Sequence, residues 1–237
     1  MTEWLLSSCD SGRGHEIGLA LSWRGRLMAP AWAFICPAAI IAARYFKIMS
    51  CQNWPRVLSN PIWWQCLRIG QRTACFLTLP AVFLVWSIPG VVVEFHAVHG
   101  ILVLSLCFLQ LLGAMACCSK GGPSDPGGMS GDHYDMTRRR LKFKRFHRSN
   151  GHVVLPLIVI TILSGLWFAN ALCWMWFSVT LYSGVLCGIT LLLQRAGCAF
   201  ATFQTVWGPD PAFPRSQMAQ TWWATARPGD LMNRGGD

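Results

Sequence analysis

Six histidines carry most of the chemistry this chain could perform: His15, His96, His99, His133, His147 and His152. Imidazole can ligate a metal, shuttle a proton or simply hydrogen-bond, and its surroundings select among these. His96 and His147 each open a long apolar run, in the contexts His-Ala-Val-His-Gly and His-Arg-Ser-Asn-Gly-His. His99 follows His96 by about one helical turn and shares its face. One histidine at a helix entrance is ordinarily an interfacial hydrogen-bonding residue. Two helices that both begin with one allow imidazoles to hold a haem iron between facing helices of a bundle. Met28 and Met49 are weaker candidates for redox ligation and are expected to fill core space. Asp125, Asp132, Asp135 and His133 sit among glycines and prolines, where turn and capping roles outweigh cation binding.

The elements that position these residues are membrane spans. The composition is 53% hydrophobic and 13% charged, which fits a polytopic membrane protein better than a soluble domain. About 20 apolar residues cross a bilayer as a helix. Five runs reach that length: Leu27–Phe46, Leu67–Trp86, His96–Cys117, His152–Asn170 and Trp174–Leu193. The expected fold is therefore all-α, one membrane domain over residues 1–237, with a basic loop at 118–151 and a tail at 194–237. Pro30, Pro37, Pro80 and Pro156 fall inside the runs, as membrane helices tolerate. The few residues near Ala171 make the last two spans antiparallel neighbours. The N-terminal residues, with Glu3, Asp10 and Glu16, read poorly as a signal or transit peptide.

Lysine and arginine are distributed unevenly. Only Arg13, Arg24 and Arg26 fall on the N-terminal side of the bilayer, and the run Arg138 to Arg148 dominates the other. The positive-inside rule places the basic loop and C-terminus inside, in the cytoplasm or mitochondrial matrix, and the N-terminus outside. The formal charge of +10 thus reflects orientation and anionic headgroups rather than nucleic acid. Eleven cysteines show no Cys-x-x-Cys or Cys/His spacing, so neither a disulfide framework nor zinc is expected. Cys36, Cys75, Cys107, Cys173 and Cys187 lie in apolar runs, where they act as small hydrophobes. The tryptophans, among them Trp23, Trp63, Trp64, Trp174 and Trp176, suit an interfacial belt.

The chain resembles the cytochrome b561 core, specifically its bacterial inner-membrane form, over nearly its whole length. The resemblance rests on Ser22-Trp23 through Trp32, Ala43-Arg44-Tyr45-Phe46-Lys47, Asn60-Pro61-Ile62-Trp63-Trp64 and His96-Ala97 through Leu109-Gln110. Gly131 to Thr137, Gly165 to Asn170 and Trp207-Gly208-Pro209-Asp210-Pro211 extend it. It implies a four-helix core with two b-type haems, each held by two histidines, and electron transfer across the bilayer. The carried-over ligand places are His96 and His147 for the third and fourth helices, and Arg24 and Leu67 for the first and second.

Those last two cannot bind iron: leucine has no lone pair, and arginine presents only donors. Each haem place therefore keeps one imidazole and loses the other. His99 or His15 are candidate substitutes outside, His152 a poor one inside, and a five-coordinate haem b is the remaining alternative. Arg24 would then be a headgroup anchor or a partner for a haem propionate. The reading is an integral inner-membrane protein with haem binding partly or wholly lost. It is more a structural or accessory subunit of a respiratory or photosynthetic electron-transfer complex than an enzyme. Its partners are lipid and other subunits, with no nucleic acid. The alternative is a b-haem electron-transfer protein, linked to quinone or a cytochrome, with unusual ligation. A transporter has little support, because no acidic residue is buried in a span.

Overall fold

The computed structural model describes residues 2–13, 18–49, 52–53, 56, 60–86, 95–116 and 137–207. Five helices are long and apolar enough to cross a membrane: Leu19–Tyr45, Ile62–Trp86, Phe95–Met115, Arg138–Phe168 and Cys173–Arg195. The chain is thus an all-α integral membrane protein. In order, the elements are α1 (Thr2–Leu6), α2 (Leu19–Ala29), a π-helical segment (Pro30–Ile35) and α3 (Cys36–Tyr45), followed by α4 (Ile62–Trp86) and α5 (Phe95–Ala116). After them come α6 (Arg138–Phe168), α7 (Cys173–Arg195) and α8 (Thr202–Trp207). Among the described residues, β-pairing is confined to one isolated antiparallel bridge, Ser8 with Leu172.

Every expected span is present, yet several begin earlier than hydropathy places them. The basic run at 138–148 is not loop: it forms the first turns of α6. Thr137 caps that helix, its Oγ1 accepting the Arg140 N–H at 3.3 Å. Arginine and lysine are good helix formers, so backbone hydrogen bonding continues through a flank that hydropathy discards. Asn60 does the same for α4, its Oδ1 accepting the Ile62 N–H at 3.0 Å. Large apolar side chains such as Phe76, Leu79, Phe83, Ile101 and Phe108 remain exposed on the spans. In water such a surface would aggregate; here it meets lipid.

Pro30 and Pro37 bracket the π-helical segment. Proline gives no N–H, and its ring clashes with the carbonyl four residues earlier. In that segment the Cys36 N–H reaches the Ala31 carbonyl, five residues back, so this carbonyl keeps a donor within the span.

The chain divides into two compact units. The first comprises Met1–Ala39, Ile69–Leu111 and Arg148–Cys187. Its core joins Val103 of α5 to Val154 and Ile158 of α6, with Trp32 packed against them. Polar side chains tie its helices together where lipid offers no competing partner. The Trp32 indole donates to Thr78 Oγ1 at 3.0 Å. Asn150 donates to the Leu106 carbonyl at 2.9 Å and to Gln110 Oε1 at 2.6 Å. The Tyr182 hydroxyl donates to the Phe34 carbonyl at 3.1 Å. The second unit comprises Ile40–Arg68, Leu112–His147 and Gly188–Asp237. Within it, Arg44 and Tyr45 both donate to Gln194 Oε1, at 3.1 and 3.2 Å. Lys47 donates to the Phe200 carbonyl at 2.8 Å and lies over the Trp63 ring, and Phe203, Val206 and Trp207 form a small core.

Two helices end with the same device. At Gly197, φ 72°, Cys198 N–H reaches the Leu193 carbonyl and Gly197 N–H reaches that of Gln194. At Asn170, φ 43°, Ala171 N–H reaches Leu166 and Asn170 N–H reaches Trp167. These are Schellman turns, and glycine is their usual left-handed residue. Asparagine stands at 170 because its side chain has a second task. Its Oδ1 accepts the Asp10 N–H at 3.1 Å, and its Nδ2 donates to the Asp10 and Arg13 carbonyls at 2.9 and 2.7 Å. Residues 7–13 are thereby strapped onto the α6–α7 turn.

Asn170→Ala is expected to release this strap. It removes three hydrogen bonds, each worth about 0.5–1.5 kcal/mol, and puts a side chain ill suited to the left-handed region there. Limited trypsin digestion should cut after Arg13 about 10-fold faster or more, at about 1.4 kcal/mol per decade. Asn170→Gly keeps the turn and should show the same exposure if the side-chain bonds are what matter.

Candidate functional site

Two of the candidate residues meet in the first unit. Arg24 lies midway along α2 and His96 on the first turn of α5, and Arg24 Nη2 is 3.1 Å from His96 Nε2. The other ring nitrogen, Nδ1, lies 3.0 Å from the Thr161 carbonyl and 3.3 Å from Ser164 Oγ, both on α6. A carbonyl can only accept, so Nδ1 carries the proton. The neutral ring then has its single lone pair on Nε2, and that lone pair accepts from the guanidinium. Thr161 is itself fixed, its Oγ1 donating to the Leu157 carbonyl at 2.7 Å. Ser164 Oγ donates to the Thr161 carbonyl at 3.0 Å.

Gly165 sets how closely α6 approaches the ring. A Cβ there would lie 2.8 Å from His96 Cε1 and 3.2 Å from Nδ1. A side chain would push the imidazole off the Thr161 carbonyl and out of line with Arg24. Sequence reasoning singled out Gly165 only within the stretch Gly165 to Asn170, and it gave Thr161 and Ser164 no role. Their contacts join helices far apart along the chain, so no local pattern announces them.

The remaining candidates are placed differently. His99 turns back on its own helix, its Nδ1 2.8 Å from the Phe95 carbonyl and its ring 4.0 Å from that of Phe95. It is not brought against His96. His147, in the second unit, is exposed and stacks on Phe143 one turn earlier on α6, with centroids 5.4 Å apart. Leu67, half-buried on α4, adds only hydrocarbon. Trp23 lies beneath Arg26, its ring centroid 5.3 Å from the guanidinium carbon. His15, His133, Asp125, Asp132, Asp135 and the tail beyond 207 lie outside the described residues.

The fit to a haem can be tested on these atoms. At the first place, the lone pair an iron would need is committed to Arg24, and the facing residue has no lone pair to offer. At the second, Leu67 offers none, while His147 keeps an imidazole with no hydrogen bond among the described residues. Neither place fits a bis-histidine haem. No group of three or more His, Cys, Asp or Glu side chains gathers among the described residues.

Comparison with known proteins adds one relative. Over 147 residues the chain is 28% identical to a Drosophila melanogaster protein named "Putative ferric-chelate reductase 1 homolog". The match covers 61% of this chain and 20% of that protein, so this chain spans about a fifth of its relative's length. No family model matches the chain. No solved structure matches it.

Proposed function

We propose that this chain is a single b561-like membrane domain in which the first of two haem places is replaced by a protein-only contact. It serves as an accessory subunit of a membrane redox complex, with its N-terminus outside. One observation carries this reading: the 3.1 Å contact between Arg24 and His96 at the two positions to which the b561 resemblance assigns one haem's ligands. A guanidinium is always charged and cannot ligate. Here it joins two helices through the atom that iron would otherwise use. A half-buried hydrogen bond of this kind holds α2, α5 and α6 together without a cofactor.

A second reading is transmembrane electron transfer through a b-type haem with unusual ligation. It draws support from similarity to a protein whose name is that of a ferric-chelate reductase. His147 would be the residue holding such a group, which would supply one-electron chemistry. Orientation by the positive-inside rule suits both readings.

Mild-detergent extraction followed by native electrophoresis and identification of the comigrating chains separates them. The accessory reading expects the chain in an assembly several times its own mass. A lone chain carrying about one b-type haem would replace it with the electron-transfer reading.

A further inference from the structure

Away from the Arg24–His96 contact, two cysteines distant in sequence meet. Cys9 Sγ is 3.7 Å from Cys173 Sγ. Both are free thiols, Cys9 exposed and Cys173 buried. The meeting is organised by the backbone around them. Ser8 and Leu172 form the isolated antiparallel bridge, and the Cys173 N–H donates to the Ser7 carbonyl at 3.0 Å. In such a bridge, positions 9 and 173 lie diagonally on one face, within side-chain reach. The Asn170 carboxamide pins Asp10 and Arg13 directly behind Cys9. Arg13 adds an ion pair to Asp10 at 2.8 Å and a contact over the Trp167 ring.

The geometry points to a reversible disulfide between Cys9 and Cys173 that latches the N-terminal strap onto the α6–α7 turn. The sulfurs, already in contact, must close to about 2.05 Å, which side-chain rotation can supply. Their exposures assign different roles. The exposed Cys9 thiolate attacks a small disulfide such as oxidised glutathione, forming a mixed disulfide and expelling one glutathione thiolate. Cys173, sheltered from a bulky oxidant but beside Cys9, then attacks the Cys9 sulfur and expels the second. Two protein thiols are oxidised, one external disulfide is reduced, and the two protons pass to the departing thiolates. This chemistry is independent of the proposed function. The outward placement of the N-terminus decides only whether an oxidising compartment reaches the pair.

The purified full-length chain, reduced and then exposed to oxidised glutathione in mild detergent, provides the test. Non-reducing peptide mapping is expected to yield a linked peptide joining Cys9 to Cys173. Its mass should be about 2 Da below the sum of the two thiol peptides, and dithiothreitol should separate it. Cys173→Ser is expected to trap one glutathione on Cys9. Cys9→Ser is expected to leave Cys173 modified roughly 10-fold less than Cys9 in that trap. Because mapping reads the wild-type chain, a poorly folded variant does not obscure the result. The proposal is overturned if wild-type Cys9 and Cys173 alkylate as independent thiols after oxidation. Glutathione persisting on wild-type Cys9 would overturn it equally.

Discussion

Gly70→Ala is expected to be among the most damaging single-atom additions to this chain. Gly70 is buried on α4, and a Cβ there would lie 2.5 Å from the Ala39 Cβ, with Ile35 Cγ2 at 3.7 Å and the Ile35 carbonyl at 3.8 Å. The obstructing atom is a Cβ, which cannot rotate away, so the backbones must separate. That separation also pulls on the π-helical segment and on the Gln71 Nε2 to Cys36 Sγ contact at 3.4 Å. Overpacking of this kind costs about 1–3 kcal/mol. Small residues permit such close helix approach in membranes. The measurement is the thermal midpoint of the detergent-solubilised protein, which should fall clearly. Gly184→Ala is the control: nothing lies within 4 Å of its added Cβ. Alanine's better helix propensity should leave that variant unchanged or more stable by up to about 1 kcal/mol.

Arg24→His is expected to change cofactor content rather than folding. Histidine is shorter than arginine, so the substitution vacates the space before His96 Nε2 and frees the lone pair that Arg24 now occupies. The Thr161 carbonyl still fixes the His96 ring, and a second imidazole faces it from α2. Expressed with haem supply, the variant should gain a b-type absorbance approaching one haem per chain. Arg24→Leu, which frees the lone pair but adds no ligand, should gain no bis-histidine haem. A well-folded Arg24→His protein without haem would mean that more than one ligand has been lost from this place.

How far the sequence carries can be judged residue by residue. The five spans were legible because hydropathy accumulates over about 20 residues and survives local error. Their starts were not, because α6 begins at a Thr137 cap inside polar sequence and hydrogen bonding ignores hydropathy. Arg24 came to notice only through the b561 resemblance; its spacing alone reads as a headgroup anchor. That it faces His96 is a tertiary fact, as are the roles of Thr161, Ser164 and Gly165. Asn170 offered a local signal, since asparagine tolerates the left-handed turn of a short helical hairpin. What its carboxamide binds lies about 160 residues upstream. Cys173 was expected to be a small hydrophobe. It is buried, but the strap's path sets Cys9 against it, and no Cys-x-x-Cys spacing could show that.

The central claim is that Arg24 has taken the iron's place on His96. Haem content measured on wild type and on His96→Leu, by reduced-minus-oxidised spectra and extracted-haem assay, tests it most directly. The account expects the two proteins to carry the same amount of haem, with any haem in wild type lost instead on replacing His147. A wild-type haem of about one per chain that disappears with His96→Leu would contradict it.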